Sequence, residues 1–261
     1  MNLLAFDTST DTLSIAVQRG DAVWQHTAPG GPQASAALIP AIQRLLAEAG
    51  LSFDTLELIV FGRGPGSFTG LRTACAVAQG LAFGADLPVL PVDTLLAVAE
   101  EARFAQCQAG HLQSDAPLTV LAMLDARMDE VYSAAYLWQP SSEPGGRVQG
   151  HWQEASPLQV SAPEKIHRPQ GKAVLLAGNA LAVYGERLPQ ECCDWRRPAV
   201  PRVPRQHGAG DPGRRRLRGD LRGDGWRASA NQHPVFPRLA ARLPGGKPPP
   251  RPPSPPPAAP G

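Results

Sequence analysis

The chain has 261 residues, four cysteines and a formal net charge of +2. That length is ample for a buried core and excludes a disulfide-stapled miniprotein. No apolar run approaches the roughly 18 residues of a membrane span, and Met1 to Asp7 lacks the basic start of a signal peptide, so a cytoplasmic protein with reduced thiols is expected.

The small net charge hides two unlike segments. Residues 1–190 carry 11 Lys and Arg against 18 Asp and Glu, whereas residues 191–261 carry 14 against 5. The six histidines are scattered, with no two at the four-residue spacing that would put both on one helix face, and the cysteines form no spaced metal pattern. No metal or cofactor is expected.

Taken in order, Asn2 to Phe6 is a short apolar run. Beyond Asp7-Thr-Ser-Thr-Asp11, the residues Leu13, Ile15 and Val17 alternate with Ser14, Ala16 and Gln18. Strand, tight turn and strand follow, and Ala22 to His26 reads as a third strand after the Gly20-Asp21 turn. From Gln33 to Ala49 the residues Leu38, Ile42, Leu45, Leu46 and Ala49 fall at helical spacing, with Gly50 placed to stop the helix. Ala36, Ala37, Ile39 and Ala41 widen that stripe beyond one face, as expected of a helix with two neighbours.

Leu58 to Phe61 is a fourth strand, and Phe61-Gly-Arg-Gly-Pro-Gly-Ser-Phe-Thr-Gly-Leu-Arg72 is a glycine-rich turn opening a second helix, Phe68 to Gly84. Four glycines relax the backbone, Pro65 stiffens it, and Ser67 or Thr69 can cap the helix. Such a turn presents amides to a phosphate or simply packs tightly. The phosphate reading is under-equipped, because Leu71 and Arg72 stand where a P-loop needs Lys and Ser or Thr. Small residues dominate the helix (Ala74, Cys75, Ala76, Ala78, Gly80, Ala82) and suit close approach by another helix, or by its own sheet. A fifth strand, Val89 to Val92, and a third helix, Thr94 to Phe104, complete a first lobe over 1–105.

A second lobe over 106–190 repeats the layout. Leu118 to Leu124 is again an apolar strand ending in Asp, and Asp7-xxx-Asp11-x-Leu13 is matched by Asp125-xxx-Asp129-x-Val131. Tyr132, Ala134, Tyr136 and Trp138 line one side of the next strand. A loop over Pro140 to Gly146, a strand from Arg147 to Glu154 and a clearer one from Ala173 to Ala177 follow, the last leading through Gly178-Asn179 into a short helix. A mixed sheet covered by helices, twice over, is an α/β fold. Asp7 and Asp125, one per hairpin, are candidates for holding a metal–nucleotide between lobes; the alternative is that each only builds its turn.

Gly64-Pro-Gly-Ser-Phe-Thr-Gly-Leu-Arg72, with Leu4-Ala-Phe-Asp-Thr-Ser-Thr10 and Leu124-Asp-Ala-Arg-Met-Asp-Glu-Val-Tyr132, resembles the TsaB (YeaZ) family over about residues 1–184. The resemblance implies the duplicated ribonuclease-H-like fold of actin, sugar kinases and Hsp70, with a degenerate or truncated second lobe. It also implies a non-catalytic subunit of tRNA threonylcarbamoyladenosine synthesis. Such a subunit pairs with a TsaD-like catalytic protein and a TsaE-like ATPase, forms a homodimer when alone, and meets tRNA only through the complex. TsaD-like proteins hold a metal with a His-x-x-x-His helix; the corresponding stretch here, Gln33-Ala-Ser-Ala-Ala37, has neither histidine. The implied contact uses the first two helices, giving Leu38, Ile42 and Leu45 with Phe68, Leu71 and Cys75 as the expected interface. The competing class is a stand-alone nucleotide-dependent enzyme, kinase-like or glycopeptidase-like, working through Asp7, Asp125 and the glycine turn.

Residues 191–261 hold 16 of the 29 prolines and no isoleucine, a composition that cannot offset chain entropy by apolar burial, so a disordered tail is expected. Its basic residues could attract RNA, yet only Trp195, Trp226 and Phe236 offer stacking. The abrupt change near Gln190 to Arg, Pro, Gly and Ala also suggests the product of a shifted reading frame, the alternative being a genuine extension.

Overall fold

Strand β1 (Asn2–Asp7) is buried on both faces, which is why its sequence runs apolar without alternating. In the computed structural model, which describes residues 1–31, 34–113, 115–142, 148–169 and 174–190, Leu4 and Phe6 face one core and Leu3 and Ala5 the other. Strands β2 (Thr12–Arg19) and β3 (Ala22–Pro29) continue antiparallel from it, with Leu4 opposite Val17. On its other edge, β4 (Leu58–Gly62) and then β5 (Val89–Val92) pair in parallel, giving the order β3-β2-β1-β4-β5.

Two helices cover one face of this sheet. Helix α1 (Ala34–Glu48) lays Leu38, Ile42, Leu45 and Leu46 onto Phe6, Leu13, Ile15 and Val17. Helix α2 (Phe68–Ala85) buries only Ala74 and Ala78 fully, and these small side chains let it lie close to the sheet. Its cap is Ser67, whose hydroxyl accepts from the Gly70 amide, and it ends on Asp86 in the left-handed conformation.

Helix α3 (Thr94–Gln108) lies between the lobes. Asp93 caps it by accepting from the Leu95 and Leu96 amides at 2.9 and 3.3 Å. Ala97 packs with Leu3, Ala5 and Val60 of the first sheet, while Leu95 and Ala99 pack with Leu118, Val120 and Trp138 beyond it. The second sheet has β6 (Leu118–Arg127) at its centre, antiparallel to β7 (Glu130–Ser142) and then β8 (Val148–Ser161), and parallel to β9 (Val174–Ala177). Its order β8-β7-β6-β9 repeats the first four positions of sheet one; among the described residues it has no counterpart of β5. The short helix α4 (Ala180–Tyr184) packs Ala180 and Tyr184 against Met123 and Val131. This is the duplicated α/β plan that the repeat predicts.

Several elements outrun their expected bounds. β3 continues past His26 to Pro29, and α3 continues past Phe104 to Gln108. β8 runs to Ser161 instead of stopping at Glu154, passing Pro157 through register shifts against β7 where the Ser156 hydroxyl accepts from the Ala135 amide at 3.0 Å. A proline has no amide to give a ladder, so the strand absorbs it at an irregularity. Gln33, Arg147, Ala173 and the whole tail 191–261, with its reading-frame and RNA expectations, lie outside the described residues.

Candidate functional site

The turns of the two hairpins face each other across a cleft of about 760 Å³. Thr8 to Asp11, the start of α1 and the turn Gly66 to Gly70 wall it on one side; Leu124 to Arg127, Tyr132 and Asn179 wall it on the other.

The glycine turn is built by close approach to the first hairpin. A β-carbon on Gly62 would overlap the Asp7 carboxylate, one on Gly66 the Ser9 backbone, and one on Gly70 the Thr8 carbonyl. The Ser67 amide donates to the Ser9 carbonyl at 2.7 Å, and the Thr8 hydroxyl to the Gly70 carbonyl at 2.6 Å. Two amides that a phosphate would use, those of Ser67 and Gly70, are therefore already taken within the chain. The geometry favours the packing role over the phosphate role.

The paired aspartates occupy unequal places. Asp7 is buried beneath the turn and is not part of the cleft wall. Its Oδ1 accepts from the Ser9 amide at 2.6 Å and its Oδ2 from the Thr94 hydroxyl at 3.0 Å. Burial pushes its carboxyl above the ordinary range, against the pull of the hydrogen bonds from Ser9 and Thr94. Asp125 does line the cleft, but its Oδ1 accepts from the Tyr184 hydroxyl at 2.7 Å and the Arg127 amide at 2.8 Å, and its Oδ2 meets the Arg127 guanidinium at 3.1 Å. The hydrogen bond to Asp125, with burial, holds the Tyr184 phenol above its usual value. Of the two aspartates, one per hairpin, only Asp125 lines the cleft. Among the described residues no group of three His, Cys, Asp or Glu side chains is placed to hold a metal ion.

What does cross the cleft is Arg127, whose Nη2 reaches Asp11 of the first lobe at 2.7 Å. Sequence reasoning found the repeat that contains both residues but not their pairing. The only signal was that Arg127 sits in the second copy of a motif whose first copy holds Asp11.

The expected interface set divides sharply. Leu38 and Ile42 are 0% exposed and Leu45 2%, all three inside the first lobe's core, which corrects their assignment to a contact surface. Burial of such side chains is worth about 1.5–3 kcal/mol each, far too much to forfeit for docking. Phe68 is 72% exposed, Leu71 and Cys75 are half-buried, and Cys75 is a free thiol. The expected contact set omitted Phe83, 95% exposed, and Ile39, 42% exposed, although Ile39 was among the residues that widen the α1 stripe. Phe68, Arg72, Ala76, Gln79 and Phe83 follow one another at helical spacing along the solvent side of α2, with the Arg72 guanidinium 4.2 Å from the Phe68 ring centre. Among the described residues no helix is long and apolar enough to cross a membrane.

Comparison with known proteins agrees with this layout. The family described as TsaD, tRNA N6-adenosine threonylcarbamoyltransferase, matches residues 26–144. The tRNA threonylcarbamoyladenosine biosynthesis protein TsaB of Haemophilus influenzae is 37% identical over 188 residues, covering 71% of this chain and 75% of that one. Its Escherichia coli namesake is 34% identical, covering 64% of this chain and 65% of that one, so this chain spans about two thirds of that relative's length. The structure of YeaZ from Pseudomonas aeruginosa superposes with a TM-score of 0.59 at 35% identity, over 72% of this chain and 80% of that one. With its duplicated actin-like plan, the glycine turn seated on the first hairpin and this degree of identity, the chain belongs to the TsaB (YeaZ) family of tRNA threonylcarbamoyladenosine biosynthesis proteins.

Proposed function

We propose that this chain is a non-catalytic subunit that docks a TsaD-like threonylcarbamoyltransferase and supports formation of N6-threonylcarbamoyladenosine at position 37 of tRNAs reading codons that begin with A. The observation that carries this reading is that Ile39 of α1 and Phe68 and Phe83 of α2 are each exposed on a lobe whose own core is complete without them. Large apolar side chains left exposed in this way support an interaction site, and the half-buried Leu71 and Cys75 lie on the same helix α2. Helix α1 carries no histidine from Ala34 to Glu48, which supports a partner role over a metal-dependent catalytic one.

In this reading a TsaE-like ATPase joins the same complex, tRNA is met through the assembly in the cytoplasm, and these exposed side chains pair with a second copy when the partner is missing. The nucleotide-dependent enzyme is less well supported, since Asp7 lies beneath the turn and both oxygens of Asp125 are engaged. Co-purification with the TsaD-like protein of the same organism tests the proposal: association at micromolar concentration is expected. Two folded proteins that stay apart, or tight binding and turnover of ATP–magnesium by the isolated chain, would overturn it.

A further inference from the structure

We propose that Arg127 is an inter-lobe clasp, spanning the mouth of the cleft between Asp11 and Asp125 and biasing the two lobes toward a single spacing. One guanidinium serves two carboxylates: Nη2 meets Asp11 of the first hairpin at 2.7 Å, and Nη1 meets Asp125 of the second at 3.1 Å. A planar fork offers a separate nitrogen to each at fixed geometry, whereas a lysine has only one compact ammonium to share between them. The cationic position between the acidic turns is thus filled by the protein's own side chain.

The backbone is shaped for this placement. Arg127, Met128 and Asp129 have φ of 65°, 52° and 60°; positive φ at Met128 and Asp129 is what a two-residue hairpin turn between β6 and β7 requires, so Arg127 is the side-chain-bearing residue whose left-handed conformation the turn alone does not explain. Such conformations are costly for residues other than glycine and persist where the surroundings impose them. Here the β6–β7 register shifts between Asp125 and Arg127, the Arg127 amide donates to Asp125 at 2.8 Å, and Asp129 is tied to Arg187 at 2.7 Å. The turn is therefore anchored at both ends, and Arg127 is directed across the cleft. Met128 at its tip is 92% exposed, so packing of that side chain does not explain the conformation.

The opposite side of the lobe junction is tied as well. Tyr136 of β7 donates to Asp93 at 3.2 Å, and the Trp152 indole of β8 donates to Glu100 of α3 at 3.1 Å. With α3 already fixed to both sheets, the mouth of the cleft is where relative motion of the lobes has room, and the clasp sits there. The Asp11–Arg127 pair is exposed, so its effect is a population bias on the order of two- to fivefold and is sensitive to salt.

The test is a pulsed-EPR distance between labels on Thr69→Cys and Val183→Cys, placed on exposed residues of the two lobes, in a full chain whose native cysteines are replaced by serine. With Arg127 present, one narrow distribution is expected, unchanged by ATP–magnesium. Asp11→Asn and Arg127→Gln should each move about two- to fivefold more molecules to other spacings, and the double variant no more than either single one. Salt at 1 M should reproduce the effect in the parent and leave the variants unaltered, while Arg127→Lys falls between. A parent distribution that is already broad, a distribution unaffected by Arg127→Gln, or a double variant that adds the two single effects would overturn the proposal.

Discussion

Thr8 and Gly70 hold each other directly: the Thr8 hydroxyl donates to the Gly70 carbonyl at 2.6 Å, and the Thr8 carbonyl lies where a β-carbon on Gly70 would have to be. That mutual contact seats α2 on the first hairpin and so fixes both the cleft wall and the exposed stripe. Gly70→Ala should therefore destabilise the protein by about 1–3 kcal/mol, the usual range for overpacking against backbone that cannot move aside. Urea unfolding gives the number. Gly80→Ala, where a β-carbon meets open space, is the control and should be neutral or slightly stabilising.

The two sides of α1 and α2 should respond oppositely to charge. Phe68→Glu with Phe83→Glu should leave the circular dichroism and melting temperature close to those of the parent while abolishing co-purification with the TsaD-like partner. Leu45→Glu should instead unfold the first lobe, because Leu45 is 2% exposed and an unpaired buried carboxylate costs several kcal/mol.

Asp7 gives a pH signature. Burial raises its carboxyl above the ordinary carboxylate value, so the folded state holds its proton more tightly than the unfolded chain does. Stability that is present below that value is lost as pH climbs through the folded-state value. Asp7→Asn keeps an acceptor for the Ser9 amide and reverses the bond to the Thr94 hydroxyl, which then accepts from the new side-chain amide, and it carries no charge to bury, so its stability relative to the parent should grow as pH rises from 4. Urea midpoints over a pH series check this. The partner-subunit reading adds that Asp7→Asn still co-purifies with the partner.

Glu100 and Arg103 form a bidentate pair at 2.9 Å, 1% and 3% exposed, with Arg103 4.1 Å from the Trp138 ring centre. Arg103→Met removes one charge and leaves the other buried, for a loss of about 3–5 kcal/mol. Glu100→Gln combined with Arg103→Met should recover part of that loss, because no buried charge is left without its partner. Thermal or urea melts of the two variants separate these outcomes.

How far the sequence could carry this reading differs from place to place. The repeated Asp-xxx-Asp-x-apolar pattern after two apolar strands was enough to predict two copies of one sheet, since strand, turn and strand are local devices. Strand ends were less legible: β8 continues past Pro157 only because Ser156 and a register shift accommodate it. The orientation of α1 was not legible at all. Its apolar residues surround more than half the helix, so periodicity alone cannot say whether Leu38, Ile42 and Leu45 or Ile39 and Ala36 face the sheet; the sheet decides, and it takes the larger set. Nor does any local pattern announce that Arg127 meets Asp11, 116 residues away, because that contact depends on how two lobes are set against each other.

The most direct measurement of the central claim is the N6-threonylcarbamoyladenosine content of tRNA in cells whose only TsaB-family protein is this chain, with its own organism's TsaD-like and TsaE-like partners supplied. Modified tRNA should appear with the parent chain and disappear with Phe68→Glu and Phe83→Glu at equal protein level. Absence of modification while folded parent chain accumulates beside its partners, or full modification by the stripe variants, would contradict the account.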